Sequence, residues 1–503
     1  MKQKELKKIA KISIGIVDII LEFIILALAT VSIILHNLSG WALETWQNLS
    51  ADEVVFHLKA PVEGTNEDLI LDAVQKCLPG GVLVFLLILT LFAGTYRSRK
   101  WRAVLSAVIV AFSIGMVYSA GQDVWRELEL EDYIEKQKTE STFIQDHYVD
   151  ARNIALEFPE QKRNLIYIFL ESMEATYADK ESGGAFEDNC IPQLTELAER
   201  NLSFSDKEKI GGAYQTVGTT WTMGAMFAQT TGLPLKIPIG ANDMEHQEQF
   251  LPGVVSIGDI LEEEGYEQVL MVGSAASFGG RENYFKQHGD YEIWDFYTAL
   301  DEVKIPWDYK EWWGFEDEKL FAFAKEELLE LSKKGRPFNF TMLTADTHAE
   351  DGYTCRLCDM SIEDAYARAL DCSSRQTAEF VEWISQQEFY ENTTVVIVGD
   401  HLTMDADFCD DVPESYERTV YNVFINSAVA PEQARSRGFT TMDFFPSTLA
   451  SMGVQIEGDR IGLGTNLFGG GKTLAEEVGI SELDAELENK SSFFENFTKN
   501  IQK

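Results

Sequence analysis

Three long apolar stretches open the chain. Ile12 to Leu35 is apolar at almost every position, and Pro79 to Thr95 and Ala103 to Ala120 follow with the same texture. A helix of about 20 apolar residues crosses a bilayer, so a three-helix transmembrane anchor is expected over residues 1–121. The first stretch is too long for the apolar part of a cleavable signal peptide, and no small-residue cleavage site follows it. Asp18 and Glu22 interrupt it; the reading adopted is that they sit near the interface or face the other two helices. Residues 122–163 are polar and charged, with helix-forming runs such as Trp125 to Lys138, and read as a juxtamembrane helical stalk.

The pattern then changes. Short continuous apolar runs appear at Leu165 to Leu170, Gln268 to Val272, Phe338 to Leu343, Thr394 to Val398 and Val420 to Ile425. Between them lie amphipathic helical patterns at Gln193 to Arg200, Ile257 to Glu264, Glu316 to Lys333 and Ala365 to Gln387. Buried strands interleaved with helices predict an α/β domain with a largely parallel central sheet, assigned to residues 164–473. Residues 474–503 read as a polar, acidic tail.

Basic residues set the orientation. Lys2, Lys4, Lys7, Lys8 and Lys11 precede the first span, and Arg97, Arg99, Lys100 and Arg102 fill the turn between the second and third. Both groups belong on the cytoplasmic side. The acidic stretch from Asn37 to Leu78 then lies outside, as does everything after Gln122. The expected location is the bacterial cell membrane, multi-pass, with the folded domain extracytoplasmic.

Charge narrows the function. Lys and Arg number 42 against 82 Asp and Glu, a formal net charge of −40. That excludes a nucleic-acid binder acting through bulk charge. Attachment to the membrane must come from the apolar spans.

All six cysteines, Cys77, Cys190, Cys355, Cys358, Cys372 and Cys409, fall on the outer side, where disulfides are permitted. Cys355 and Cys358 form a C-x-x-C. A zinc site of paired spacing wants a second such pair, and there is none. Disulfides among Cys355, Cys358, Cys372 and Cys409 are therefore the expectation.

In an open α/β sheet, ligands bind beyond the carboxyl ends of the strands. The first strand ends in Glu171-Ser172, the third in Asp346-Thr347-His348, and the fourth in Gly399-Asp400-His401. Carboxylates with an imidazole suit a divalent cation. A hydroxyl nucleophile is the remaining part. The glycine- and threonine-rich segment from Gly211 to Thr222 runs into Met223 to Ala228, which continues as a helix. A threonine at that helix start meets free N–H groups and a positive dipole end; an N-cap threonine in a loop fits the composition equally well. With the helix beginning near Thr220, that hydroxyl is the expected nucleophile.

Together these segments resemble the lipoteichoic acid synthase and phosphoglycerol transferase branch of the sulfatase and alkaline phosphatase superfamily, from about Asn164 to Phe468. Asn164 to Ser172 resembles its first metal-binding strand, with Glu171 as ligand. Gly218-Thr219-Thr220 resembles its G-x-T nucleophile motif, which implies Thr220 as both nucleophile and metal ligand. Val398-Gly399-Asp400-His401 resembles its G-D-H, with Asp400 and His401 on the metal. Ser277 to Arg281 resembles the segment whose arginine binds glycerol phosphate, which points to Arg281. Asp346-Thr347-His348 resembles the loop whose histidine contacts substrate, which points to His348. Each motif is weak alone; the five in order are specific.

The resemblance implies transfer of glycerol phosphate from phosphatidylglycerol to an extracytoplasmic acceptor, a cell-wall or membrane-derived glycan or a teichoic acid chain, through a phospho-threonine intermediate. The implied cofactor is one divalent cation, Mn²⁺ first, with Mg²⁺ or Zn²⁺ as alternatives. Gly279 departs from the polymerases, where an aromatic residue walls the pocket, and three spans replace their usual five, so the acceptor stays open. Cys190-Ile191-Pro192-Gln193-Leu194 lacks the arginine of the C/S-x-P-x-R sulfatase motif and is read as a packing segment. The competing readings are a phosphoethanolamine transferase of the same superfamily and a non-catalytic sensor or scaffold. A scaffold would be expected to have lost one of Glu171, Thr220, Asp400 or His401.

Overall fold

The computed structural model describes residues 2–45, 51–57, 67–236, 250–309, 311–405 and 407–498. Parts of the acidic stretch between the first two spans thus lie outside the described residues. The chain divides into two compact units, Met1–Leu49 with Asn66–Glu131, and Ser50–Thr65 with Asp132–Lys503.

The first unit is three helices, α1 (Lys2–Thr45), α2 (Glu67–Thr95) and α3 (Arg99–Glu127). Each is long and apolar enough to cross a membrane. Leu26 and Ala29 of α1, Ile88 and Phe92 of α2 and Ile109 of α3 are buried together between them, while many of the other large apolar side chains face outward. That inside-out distribution is what a lipid environment requires. Asp18 and Glu22 do face the other helices: Arg99 pairs with Asp18 at 3.4 Å, and Arg102 pairs with Glu22. The acidic residues in the first span therefore neutralise the basic turn between the second and third. With that turn and the N-terminal lysines inside, three crossings leave the following unit extracytoplasmic.

The second unit is built on a six-stranded sheet. Its strands are β1 (Asn164–Leu170), β2 (Glu267–Val272), β3 (Glu292–Trp294), β4 (Phe338–Leu343), β5 (Thr393–Gly399) and β6 (Asn422–Ile425), in the order β3-β2-β4-β1-β5-β6. All neighbours pair in parallel except β5 with β6. The continuous apolar runs follow from burial on both faces. Leu165, Tyr167 and Phe169 of β1 enter one core cluster, and Ile166, Ile168 and Leu170 enter the other. Val396 and Val398 of β5 join the first, Val395 and Ile397 the second. Each such side chain contributes roughly 1.5–3 kcal/mol relative to exposure.

The strand β3 escaped the sequence reading because three residues at a sheet edge carry no periodic signal. Residues 132–163 and 474–498 pack into this unit rather than standing off from it. Ser141 N donates to Lys490 O at 2.8 Å, and Leu474, Leu483, Leu487, Phe494 and Phe497 are buried in the larger core cluster.

Candidate active site

β1 and β5 are neighbours, in register from Asn164 opposite Thr393 to Leu170 opposite Gly399. Their ends therefore deliver Glu171 and Asp400-His401 side by side. Gly399 makes the approach possible: a Cβ there would lie 1.9 Å from the Met173 carbonyl oxygen. Ser172 takes a left-handed backbone, φ 51°, which for a non-glycine residue is held only by its surroundings. Its N–H donates to Asp400 Oδ1 at 2.7 Å, and its hydroxyl donates to Glu171 Oε1 at 2.9 Å. Glu171 is further fixed by its own N–H on Thr344 Oγ1 and by the Thr347 hydroxyl on its carbonyl, both from the loop after β4.

The three donors converge. His401 Nε2 lies 3.5 Å from Glu171 Oε1 and 3.4 Å from Asp400 Oδ2. All three residues are buried. His401 Nδ1 is 2.7 Å from the Leu402 carbonyl; a carbonyl only accepts, so Nδ1 carries a proton and Nε2 is the atom that would give its lone pair to a cation in the cluster. Asp400 Oδ2 is buried without a hydrogen-bond partner among the described residues. An orphaned buried carboxylate oxygen beside a second carboxylate and an imidazole lone pair is a donor set that fits a divalent cation.

The electrostatics agree. Burial pushes the Asp400 carboxyl up to about 7, and the Glu171 charge adds to it. Burial also opposes charge on Glu171, but His348 and His401, helped by the Ser172 hydroxyl, hold it below the usual carboxylate range. For His401 burial alone acts downward; the Asp400 and Glu171 carboxylates outweigh it and the net shift is upward.

The hydroxyl brought to this cluster belongs to Thr222. Its Oγ1 is 3.4 Å from Glu171 Oε2 and 3.4 Å from His401 Nε2. Thr222 opens helix α4 (Thr222–Thr231), with Trp221 as the N-cap. The first intrahelical bond runs from Ala225 N to Trp221 O, so the amides of Thr222, Met223 and Gly224 lie before it, in position for an anion. Thr220 is placed differently from the sequence expectation: its Oγ1 is buried and has no hydrogen-bond partner among the described residues. The physical reason is the helix boundary, which falls at Thr222, so the dipole argument moves with it. Thr219 closes the preceding turn, accepting from Thr216 N at 2.9 Å and donating to Thr216 O at 2.8 Å. Gly218 enters that turn at φ 75°, 2.8 Å by its notional Cβ from the Leu235 carbonyl. From sequence, Thr222 is expected inside the first helical turn and pointing elsewhere; the helix instead opens on it, which turns its hydroxyl to the cluster.

Arg281 and His348 stand in the second rank. Arg281 opens helix α5 (Arg281–Gln287) and is buried. Its Nε donates to Phe278 O at 3.1 Å and its Nη2 to Ser274 Oγ and Ala275 O. Burial lowers its pKa to about 10, against the pull of Glu171, Asp295 and Asp400. The guanidinium is thus a fixed positive charge whose field reaches the cluster, tied largely to its own loop. His348 Nδ1 lies 2.7 Å from the Ala349 carbonyl, which leaves Nε2 for exchange, and its ring packs on Trp313 at 4.7 Å.

The family model described as Sulfatase matches residues 163–454. The chain belongs to the sulfatase family. Within this sulfatase-family domain Cys190 lies just ahead of the helix Pro192–Arg200, and Thr222 is the hydroxyl at the cluster. Among curated relatives, Phosphoglycerol transferase I of Xanthomonas axonopodis pv. citri is 28% identical over 430 residues, covering 82% of this chain and 57% of that protein. Phosphoglycerol transferase I of Escherichia coli O127:H6 is 32% identical over 252 residues, 49% of this chain and 32% of that protein. The sulfatase-family chain therefore spans little more than half the length of the former relative and a third of the latter. Among solved structures, the lipoteichoic acid synthase LtaP from Listeria monocytogenes is 18% identical, with a TM-score of 0.49 and 65% of this chain and 81% of that one covered.

Proposed function

We propose that this sulfatase-family domain transfers glycerol phosphate from phosphatidylglycerol in the outer leaflet to an extracytoplasmic glycan or teichoic acid hydroxyl, with Thr222 as the nucleophile. The observation that carries it is the Thr222 hydroxyl, 3.4 Å from both Glu171 and His401 at the start of a helix. The relatives named phosphoglycerol transferase support the choice of group.

Glu171, Asp400, His401 and Thr222 would hold one divalent cation, Mn²⁺ in the first instance. Such an ion, when bound, lowers the pKa of a neighbouring hydroxyl and offsets phosphate charge. The rest is done by the chain. Thr222 Oγ attacks the phosphorus, giving its proton to Glu171 Oε2, 3.4 Å away. The bond from phosphorus to the diacylglycerol oxygen breaks, and His348 Nε2 protonates the leaving oxygen. A phosphoglycerol ester on Thr222 remains, its oxygens toward the first-turn amides of α4 and within the field of Arg281. The acceptor hydroxyl gives its proton to His348 and attacks the phosphorus, the bond from phosphorus to Thr222 Oγ breaks, and Thr222 takes its proton back from Glu171. Catalysis is positioning and charge stabilisation. The three spans hold the site to the membrane and raise the local concentration of a lipid donor.

The test is full-length protein incubated with phosphatidylglycerol bearing a labelled headgroup, with phosphatidylethanolamine in parallel. Label transferred to Thr222 from phosphatidylglycerol supports the reading. Label on another residue, or transfer from phosphatidylethanolamine alone, overturns it.

A further inference from the structure

The expected disulfides are not formed: all six cysteines are free thiols. Three of them nevertheless meet. Cys355 Sγ is 3.6 Å from Cys372 Sγ and 3.7 Å from Cys358 Sγ, and the three sulfurs all lie within 4.8 Å of one another. All three residues are buried. A disulfide would need sulfurs about 2 Å apart. Thiolates bound tetrahedrally to one zinc at about 2.3 Å stand about 3.8 Å apart, the spacing found here for two of the edges.

The surroundings provide for charge on these sulfurs. Leu357 N donates to Cys355 Sγ at 3.4 Å, and Gln376 Nε2 donates to Cys372 Sγ at 3.4 Å. The Arg375 guanidinium lies 3.6 Å from Cys372 Sγ and is held there by the Leu357 carbonyl at 2.7 Å. N–H donors and one cation around a buried thiol cluster are the outer shell that orients thiolate ligands and balances the one net negative charge of zinc with three thiolates. Van der Waals packing of three neutral thiols would not call for them.

We infer that Cys355, Cys358 and Cys372 form a three-thiolate zinc site, distinct from the Glu171, Asp400 and His401 cluster. Zinc is the ion because soft thiolate ligands select it over Mn²⁺ or Mg²⁺. Binding releases three thiol protons to solvent, changes no oxidation state, and leaves the fourth tetrahedral position to water. The site has a mechanical consequence. Cys355 and Cys358 lie in the loop after β4, the strand that follows helix α6 (Asp317–Lys333), and Cys372 lies on helix α7 (Ala365–Ser385), which follows that loop. Tyr353, two residues before the cluster, donates by its N–H to Asp346 O at 2.6 Å. The zinc would fasten to α7 the loop that carries His348. Outside the cytoplasm it would also keep the three thiols from oxidation.

The chain has no second C-x-x-C to complete a paired zinc site. The third ligand, Cys372, comes instead from a helix and lies fourteen residues after Cys358, which chain spacing does not reveal.

The test uses full-length protein purified without chelator, in an E171Q/D400N background that disables the other cluster. About one equivalent of zinc is expected, with X-ray absorption showing sulfur neighbours at about 2.3 Å. C358S in the same background should lose the zinc. Should C358S fail to fold, Co²⁺ exchange of the wild type decides, because only thiolate ligation gives the near-ultraviolet sulfur-to-cobalt band. An intact mass lower by two hydrogens with a Cys355–Cys372 disulfide, zinc with only nitrogen and oxygen neighbours, or no cobalt band would each overturn the site. These readouts do not involve phosphoglycerol transfer, so the inference stands or falls apart from the proposed function.

Discussion

Gln229 ties the helix of Thr222 to the strand end of Asp400. From the third turn of α4 its Nε2 donates to the carbonyls of Gly399 at 3.0 Å and Asp400 at 3.3 Å, while its Oε1 accepts from the Tyr167 hydroxyl. The residue is fully buried. The hydroxyl and the carboxylate are thus held in one frame by an amide that touches neither. Gln229→Met keeps the bulk and strands three polar groups. It should cost about 1–3 kcal/mol for each group that water does not reach, read as a fall in the midpoint of thermal unfolding, and should weaken divalent-ion binding. Unchanged stability would mean that the amide frame is not what holds α4.

Thr222 and Thr220 should separate cleanly. Thr222→Ala should lower kcat by about 10⁴-fold or more, as removal of a nucleophile does, with the fold unchanged by circular dichroism. Thr220→Val replaces a buried hydroxyl, without a hydrogen-bond partner among the described residues, with a methyl of the same shape. It should leave turnover within about threefold and stabilise by roughly 1 kcal/mol. The opposite pattern in the two variants would return the nucleophile to Thr220.

Ion affinity should depend on pH through Asp400. Burial raises this carboxyl to about 7 in the free protein, so below that pH an incoming cation must displace a proton. The sign is that affinity rises with pH toward about 7 and levels above it. Calorimetric titration with Mn²⁺ at pH 5.5 and pH 8 should show weaker binding and proton release at the lower value. Equal affinity at both would remove Asp400 from the ligand set.

Behind the site, Glu174 has a fully buried side chain and pairs with Arg418. Its Oε1 also accepts from Thr403 N at 2.8 Å and from the Tyr177 hydroxyl at 3.1 Å. Arg418→Met leaves this carboxylate buried without its cation, at about 3–5 kcal/mol. Adding Glu174→Gln should restore much of the loss, because the uncompensated charge, not the missing contact, causes it. Chemical denaturation of the single and double variants checks both statements.

How much of this was legible in the chain follows from what each signal depends on. The spans could be read because a bilayer imposes length and apolarity on every position. The parallel strands could be read because β1, β4 and β5 are buried on both faces, which turns them into unbroken apolar runs. Their order could not, since the register of β1 with β5 pairs residues 229 positions apart, as Asn164 with Thr393. The ligand trio was legible because sheet topology puts strand ends on one edge. The choice among four threonines was not, because it turns on a helix boundary two residues wide, set by Trp221 and the Gly218 turn packing against Leu235. The C-terminal segment reads as polar and acidic because its apolar residues are few and spaced, and only the finished core shows that Leu483, Leu487, Phe494 and Phe497 fill it. The cysteines mark the same division. Composition and compartment favoured oxidised pairs, and chain spacing hid the third ligand. Only the packing of α7 against the loop after β4 brings Cys372 to Cys355, at a separation that suits three thiolates around an ion and is too long for a bond.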